Sequence, residues 1–407
     1  MTATRPPTAS ETGWLRVRSY LQEHRHDLTL EAADDYPADR RVAGTPLLAA
    51  PGWQPAEPVA LQEVALEFTP AARPPASPAL ASPALASAAP GGAPAGGAPA
   101  GGAPAGGALP IWPGPLPPGP LLPERPDGTR YLRYSDALRE LAAPAVFENR
   151  ATYRLTDAEL TAGAARLAFT RGRYFDGIDT GEAAAHEYAA VRLSGGPAVL
   201  RALLADPCDL RRRPANLAVS TLTLRHEAAT GLVSFLLHWR DPAQVGHAGG
   251  LYQVIPVGVF QPSGEAAWHE RRDFSLWRCM IREFAEELRG HPEDYGSDAG
   301  PVDYDSWPFA RHMTEARDRG QIRVWCLGLG TDPLTYATDL LTVAVIDSEV
   351  FDALFRPGPW RNAEGSVLAA REFAAHVIDR TVTREPVQAA GAAVLRLAWR
   401  HRDTLIG

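Results

Sequence analysis

The residues most able to do chemistry are gathered between Asp273 and Gly290, where the chain reads Asp-Phe-Ser-Leu-Trp-Arg-Cys-Met-Ile-Arg-Glu-Phe-Ala-Glu-Glu-Leu-Arg-Gly. At about 100° per residue, a helix here puts Trp277, Met280, Phe284 and Leu288 on one arc and Glu283, Glu286 and Glu287 on another. Like charges at these spacings repel by a few tenths of a kcal/mol per pair, so three together call for a compensating cation. Hard divalent ions such as Mg²⁺ or Mn²⁺ suit an all-oxygen set and keep water and phosphate oxygens as further ligands. The plainer reading is a solvated acidic face balanced by Arg278, Arg282 and Arg289. Asp273 is the expected N-cap, and Gly290 the expected glycine that ends the helix.

An apolar segment precedes this helix, expected as a strand over residues 251–260. It runs into a loop bearing Pro256, Gly258, Gly264 and Glu265. Arg282-Glu283-Phe284-Ala285-Glu286-Glu287 resembles the second half of the Nudix signature, Gly-x5-Glu-x7-Arg-Glu-U-x-Glu-Glu-x-Gly-U, with U a bulky apolar residue. The first half is stretched. Gly258 and Glu265 have one residue too many between them, and Glu265 to Arg282 is nine too long; the register Gly264-x5-Glu270 still leaves four extra before Arg282. The final glycine is displaced by one position, to Gly290.

The resemblance spans about residues 217–346. It implies an α/β fold, a mixed sheet sandwiched by helices. It further implies a Mg²⁺ or Mn²⁺ cofactor held by Glu286 and Glu287, with Glu283 as a further ligand or the base that activates water and Arg282 as their orienting partner. Gly258, Gly264 and Glu265 would then form the substrate-binding loop. The implied activity is hydrolysis of a nucleoside diphosphate linked to another group, with a further carboxylate drawn from Asp339, Asp347, Glu349 or Glu364. The stretched loop keeps a second reading open, a catalytically inactive regulatory or ligand-binding protein on the same fold. Residues 146–153 and 389–402 resemble uncharacterised actinobacterial proteins, some described as regulators, which favours a sensor role and leaves a transcriptional regulator as a third reading.

Around this helix the 407-residue chain divides by composition. Residues 1–70 are expected to be partly helical, with a helix over 14–31. Residues 71–125, with repeated Ala-Ser-Pro-Ala-Leu and Gly-Gly-Ala-Pro-Ala units, lack the apolar mass to offset ordering and read as a disordered linker. Residues 126–210 read as a helical or mixed part, with helices over 183–191 and 198–204. Residues 211–407 read as the α/β domain, with strands over 217–224, 232–239, 251–260, 322–329 and 340–346 and closing helices over 366–380 and 387–402.

All 40 basic residues are arginine, which excludes a Schiff-base lysine and a lysine-bearing P-loop. A net charge of −8 and a pI near 5.8 argue against DNA as partner. Three separated cysteines, Cys208, Cys279 and Cys326, suit reduced thiols, and no apolar run suggests a leader or a membrane span; a cytoplasmic location is expected. His186-Glu187 lacks the second histidine of a zinc-protease motif. Arg211 to Arg213 read as a solvated turn, His238 and His247 as pocket candidates without a partner at ligand spacing, and Trp239, Trp277, Trp325 and Trp399 as core.

Overall fold

The computed structural model describes residues 5–70, 121–144, 147–161, 163, 165–240, 249–291, 300–355, 361, 362 and 365–407. The expected linker lies almost entirely outside the described residues. Its last part does not: Leu121 and Leu122 are buried, and the Leu121 carbonyl accepts a hydrogen bond from the Trp14 indole. The folded body therefore resumes at Leu121 rather than after 125.

Strand Leu217–Glu227 lies at the centre of a seven-stranded mixed sheet. It runs parallel to Thr338–Asp347 and antiparallel to Leu232–Phe235 and Val257–Val259. Ile322–Thr331 pairs with the other edge of Thr338–Asp347. The expected strand over 251–260 is broken into Tyr252–Val254 and Val257–Val259 at Pro256, which has no N–H to give to a ladder. The Tyr252–Val254 piece joins a second sheet with Leu237–Arg240, Gly365–Val367 and Arg361–Asn362.

Two groups of helices pack on the main sheet. Leu276–Arg289, Pro308–Asp318 and Ser348–Leu354 form one, knitted together by Phe284, Phe309, Phe351 and Phe355. Ala389–Arg400 forms the other, together with Ala375–Arg384. Residues 217–224 form a strand as expected, and their polar members Ser220, Thr221 and Thr223 are fully buried. Each hydroxyl is satisfied: Ser220 by Asp339, Thr221 by Thr342, and Thr223 by the Ile255 carbonyl. The expected helix over 366–380 is corrected to a strand Arg371–Glu372 followed by Ala375–Arg384, the preceding residues being drawn into sheet pairing.

The N-terminal residues are not set apart from the rest. The expected helix over 14–31 is two helices, Ala9–Glu23 and Arg25–Asp34, hinged at His24. Val59–Ala60 adds to the main sheet, while Ala65–Phe68 joins Arg166–Arg173 and Ala151–Glu159 in a three-stranded sheet. One hydrophobic core draws Leu47 and Trp53, Leu155 and Phe169, and Leu222 and Phe284 together, so the expected segments 1–70, 126–210 and 211–407 fold onto a shared interior. Among the described residues no helix is long and apolar enough to cross a membrane.

Candidate functional site

Helix Leu276–Arg289 is fixed at both ends by its sequence. Ser275 caps the first turn by accepting from the Arg278 N–H, and Gly290 closes the last in the left-handed region at φ 66°. Ser275 holds the cap position expected of Asp273. The apolar arc is buried as its spacing requires, with Trp277, Met280, Phe284 and Leu288 all inside. Burial extends further round the helix than an amphipathic pattern suggests, to Cys279, Arg282 and Glu287.

The three glutamates meet different surroundings, and none is exposed. Glu287 Oε1 accepts the Val257 N–H at 2.8 Å, which ties the helix to the strand after Pro256. His238 Nδ1 lies 4.0 Å from the other Glu287 oxygen. Glu283 rests on the backbone of Gly258 so closely that a Cβ built there would sit 1.9 Å from its carboxyl carbon. Only glycine permits this approach. Glu283 and Glu286 are half-buried, and after burial itself their negative charges are the causes that push the Cys279 thiol up.

Arg282 is 3 % exposed and fully engaged. One arm donates to the Gln261 carbonyl at 2.6 Å, and the other reaches the Tyr304 hydroxyl and Asp273 Oδ1, the latter at 3.3 Å. Asp273 also accepts from Tyr304 and from the Ser263 N–H and hydroxyl. This network pins loop residues 261–263 to the helix. The carboxylate paired with Arg282 is Asp273, and Glu265 and Glu270 pair elsewhere. Glu265 bonds Arg173 and the Ala151 N–H, and Glu270 bonds Arg171. A signal for Asp273 was present: it stands nine positions before Arg282, one more than the signature's spacing of eight, and the extra residue is absorbed in the non-helical turn through Phe274 and Ser275.

Of the loop residues, Gly258 meets the acidic helix directly, whereas Gly264 lies in a bend and the exposed Glu265 faces the three-stranded sheet. Among the further carboxylates, Asp339 is buried on the adjoining strand, bonded to Ser220, which itself stands opposite Val257. Asp347 ends that strand, Glu349 is exposed in the following helix, and Glu364 lies outside the described residues, as does His247. His238, read from sequence as lacking a partner, is placed beside Glu287 by the second sheet. His186 stacks on Trp14 at 5.0 Å, and Glu187 accepts the Leu200 and Arg201 N–H groups. All three cysteines are buried free thiols.

The donors at this helix are oxygens, the chemistry a hard cation takes. Among the described residues, however, no group of three or more His, Cys, Asp or Glu side chains is drawn together as a metal cage.

No protein-family model matches the chain, and no curated protein matches it. Among solved structures, the chain is similar to the crystal structure of a NUDIX hydrolase from Alicyclobacillus acidocaldarius, at 17% identity and a TM-score of 0.28 over 47% of this chain and 95% of that one.

Proposed function

We propose that the chain is a Nudix-like, metal-dependent hydrolase of a nucleoside diphosphate linked to another group. The observation that carries this reading is the docking of the Arg-Glu-x-x-Glu-Glu helix onto the Pro/Gly segment, with Glu283 against Gly258 and Glu287 on the Val257 N–H. Glu283 and Glu286 would hold Mg²⁺ or Mn²⁺ together with substrate phosphate, and Glu287 would complete the set from its anchored position. The bound ion would neutralise phosphoanhydride charge and lower the pKa of an attacking water.

The rest is done by the chain's own groups. Arg282 holds loop residues 261–263 in place through Gln261 and Asp273 and does not itself need to touch substrate. Glu283, seated against Gly258, would act as a further ligand or as the base that takes a proton from the attacking water. His238 stands beside the Glu287 carboxylate, its Nδ1 4.0 Å from the second Glu287 oxygen. The test is a panel of nucleoside diphosphate-linked compounds with Mg²⁺, comparing wild type with Glu283→Gln and Glu287→Gln. A drop of roughly 100-fold or more in kcat is expected for each. Activity unchanged in Glu287→Gln would exclude its assigned role.

A second reading, a ligand-binding regulatory protein on the same fold, rests on the stretch from Glu265 to Arg282, nine residues longer than the signature allows. It predicts saturable nucleotide binding by calorimetry without turnover, and robust multiple-turnover hydrolysis would end it.

A further inference from the structure

We propose a second site in this chain, independent of the acidic helix: a pocket for a phosphate group, built on Arg154 and backed by Arg213, between the three-stranded sheet and the start of strand Leu217–Glu227. The observation is an arginine with nothing to hold. Arg154 is 7 % exposed, yet its guanidinium makes no hydrogen bond or ion pair among the described residues, and its Nε is sealed from water without a partner. A buried guanidinium is normally saturated by carbonyls or carboxylates, because its five donors cannot be abandoned cheaply. Other deeply buried arginines each hold at least one acceptor, even where, as in Arg18, the Nε has none. Arg18 and Arg25 share Glu182, and Arg282 has Asp273.

Arg154 is held in this position by the strands around it. Tyr153 and Leu155 turn into the aromatic core, so Arg154 projects from the opposite face of strand Ala151–Glu159. Its stem crosses Gly172 of the neighbouring strand, where a Cβ would lie 2.9 Å from the Arg154 Cβ and 2.8 Å from the Thr152 hydroxyl. Gly172 therefore opens the space this arginine uses. Asn216 closes one side, accepting from the Thr152 hydroxyl at 3.0 Å and donating to the carbonyls of Arg173 and Tyr174.

Arg213, 2 % exposed, stands close enough that Arg154 acts on its charge. Its donors go to the carbonyls of Pro207 and Pro214 and to the hydroxyls of Thr331 and Thr338, with no carboxylate among them. Burial above all, and Arg154 as a lesser cause, push Arg213 down to about 10. Asp176 is near enough to favour the charged form of Arg154, though it makes no hydrogen bond to it. Two buried cations close enough to act on one another, one with donors that meet no protein acceptor among the described residues, match a dianionic tetrahedral group better than a single carboxylate.

The test uses the full chain in EDTA, so that no metal at the acidic helix contributes, with inorganic phosphate as probe and acetate as the monoanionic comparison. Phosphate at 10 mM is expected to raise the Tm of wild type by about 2 °C or more, acetate to do less, and Arg154→Met to lose the phosphate-dependent rise. Equal shifts in wild type and Arg154→Met, no shift in either, or acetate matching phosphate would overturn the proposal. Should Arg154→Met not fold, calorimetric titration of wild type decides: a saturable single-site isotherm supports the site, and no saturable heat removes it. Since no step uses Mg²⁺, failure here leaves the hydrolase reading intact, and failure of hydrolysis leaves this site intact.

Discussion

Arg282 and Arg154 are almost equally hidden from water, at 3 % and 7 % exposed, and they could hardly be treated more differently. Arg282 is bound on every side by Asp273, Tyr304 and the Gln261 carbonyl, and its work is to fix a loop against a helix. Arg154 projects from a strand of the three-stranded sheet, and its guanidinium meets no partner among the described residues. A saturated buried charge is part of the architecture, and removing one member strands the other. An unsaturated one costs stability in the resting protein and points to something that arrives from outside. On the acidic helix, Glu287 is buried and anchored on the Val257 N–H, while Glu283 and Glu286 beside it are half-buried.

That comparison is tested most severely by Arg282→Met, which leaves the fully buried Asp273 carboxylate without its cation. A loss of about 3 to 5 kcal/mol is expected, read as a lower urea midpoint. Gly258→Ala drives a methyl into the Glu283 carboxylate and should cost about 1 to 3 kcal/mol, together with whatever hydrolysis the wild type shows. Glu287→Gln retains an oxygen for the Val257 N–H, so its cost in chemical denaturation should stay near 1 kcal/mol even if activity disappears. Arg154→Met in phosphate-free buffer should fall within about 1 kcal/mol of wild type or exceed it, since no protein partner is abandoned; a loss as large as that of Arg282→Met would erase the distinction.

The smallest effect concerns Asp179, whose carboxyl burial pushes up to about 6. The folded state then holds its proton more tightly than the unfolded state, so this group stabilises below its unfolded pKa. The contribution is lost as pH rises through about 6. Asp179→Asn keeps an acceptor for the Ser135 N–H and should flatten that decline, seen by comparing urea midpoints of wild type and variant at pH 4.5 and 7.

Much of the acidic helix was legible beforehand. Its apolar arc, its terminal Gly290 and the grouping of three glutamates follow from a 3.6-residue period that tertiary packing did not override. The loop before it was not legible. Three acidic residues, Glu265, Glu270 and Asp273, precede Arg282, and spacing alone could not say which would turn inward; Arg171 and Arg173 of another sheet claimed two of them. The helix expected over 366–380 failed for a related reason, since edge strands of two sheets offered its first residues hydrogen-bond partners that helical periodicity cannot reveal.

By itself the sequence determined local things: the helix and its closing glycine, most of the apolar strands, the absence of lysine chemistry, and the glycine at position 258. The tertiary structure decided the long-range pairings. It brought His238 to Glu287 and Ser220 to Asp339, wove Val59–Ala60 and Ala65–Phe68 into two sheets, and left the buried Arg154 guanidinium without a partner among the described residues. The physical reason is that helical and strand periods are written between near neighbours. Whether a buried charge is satisfied depends on groups that only folding brings within about 3 Å.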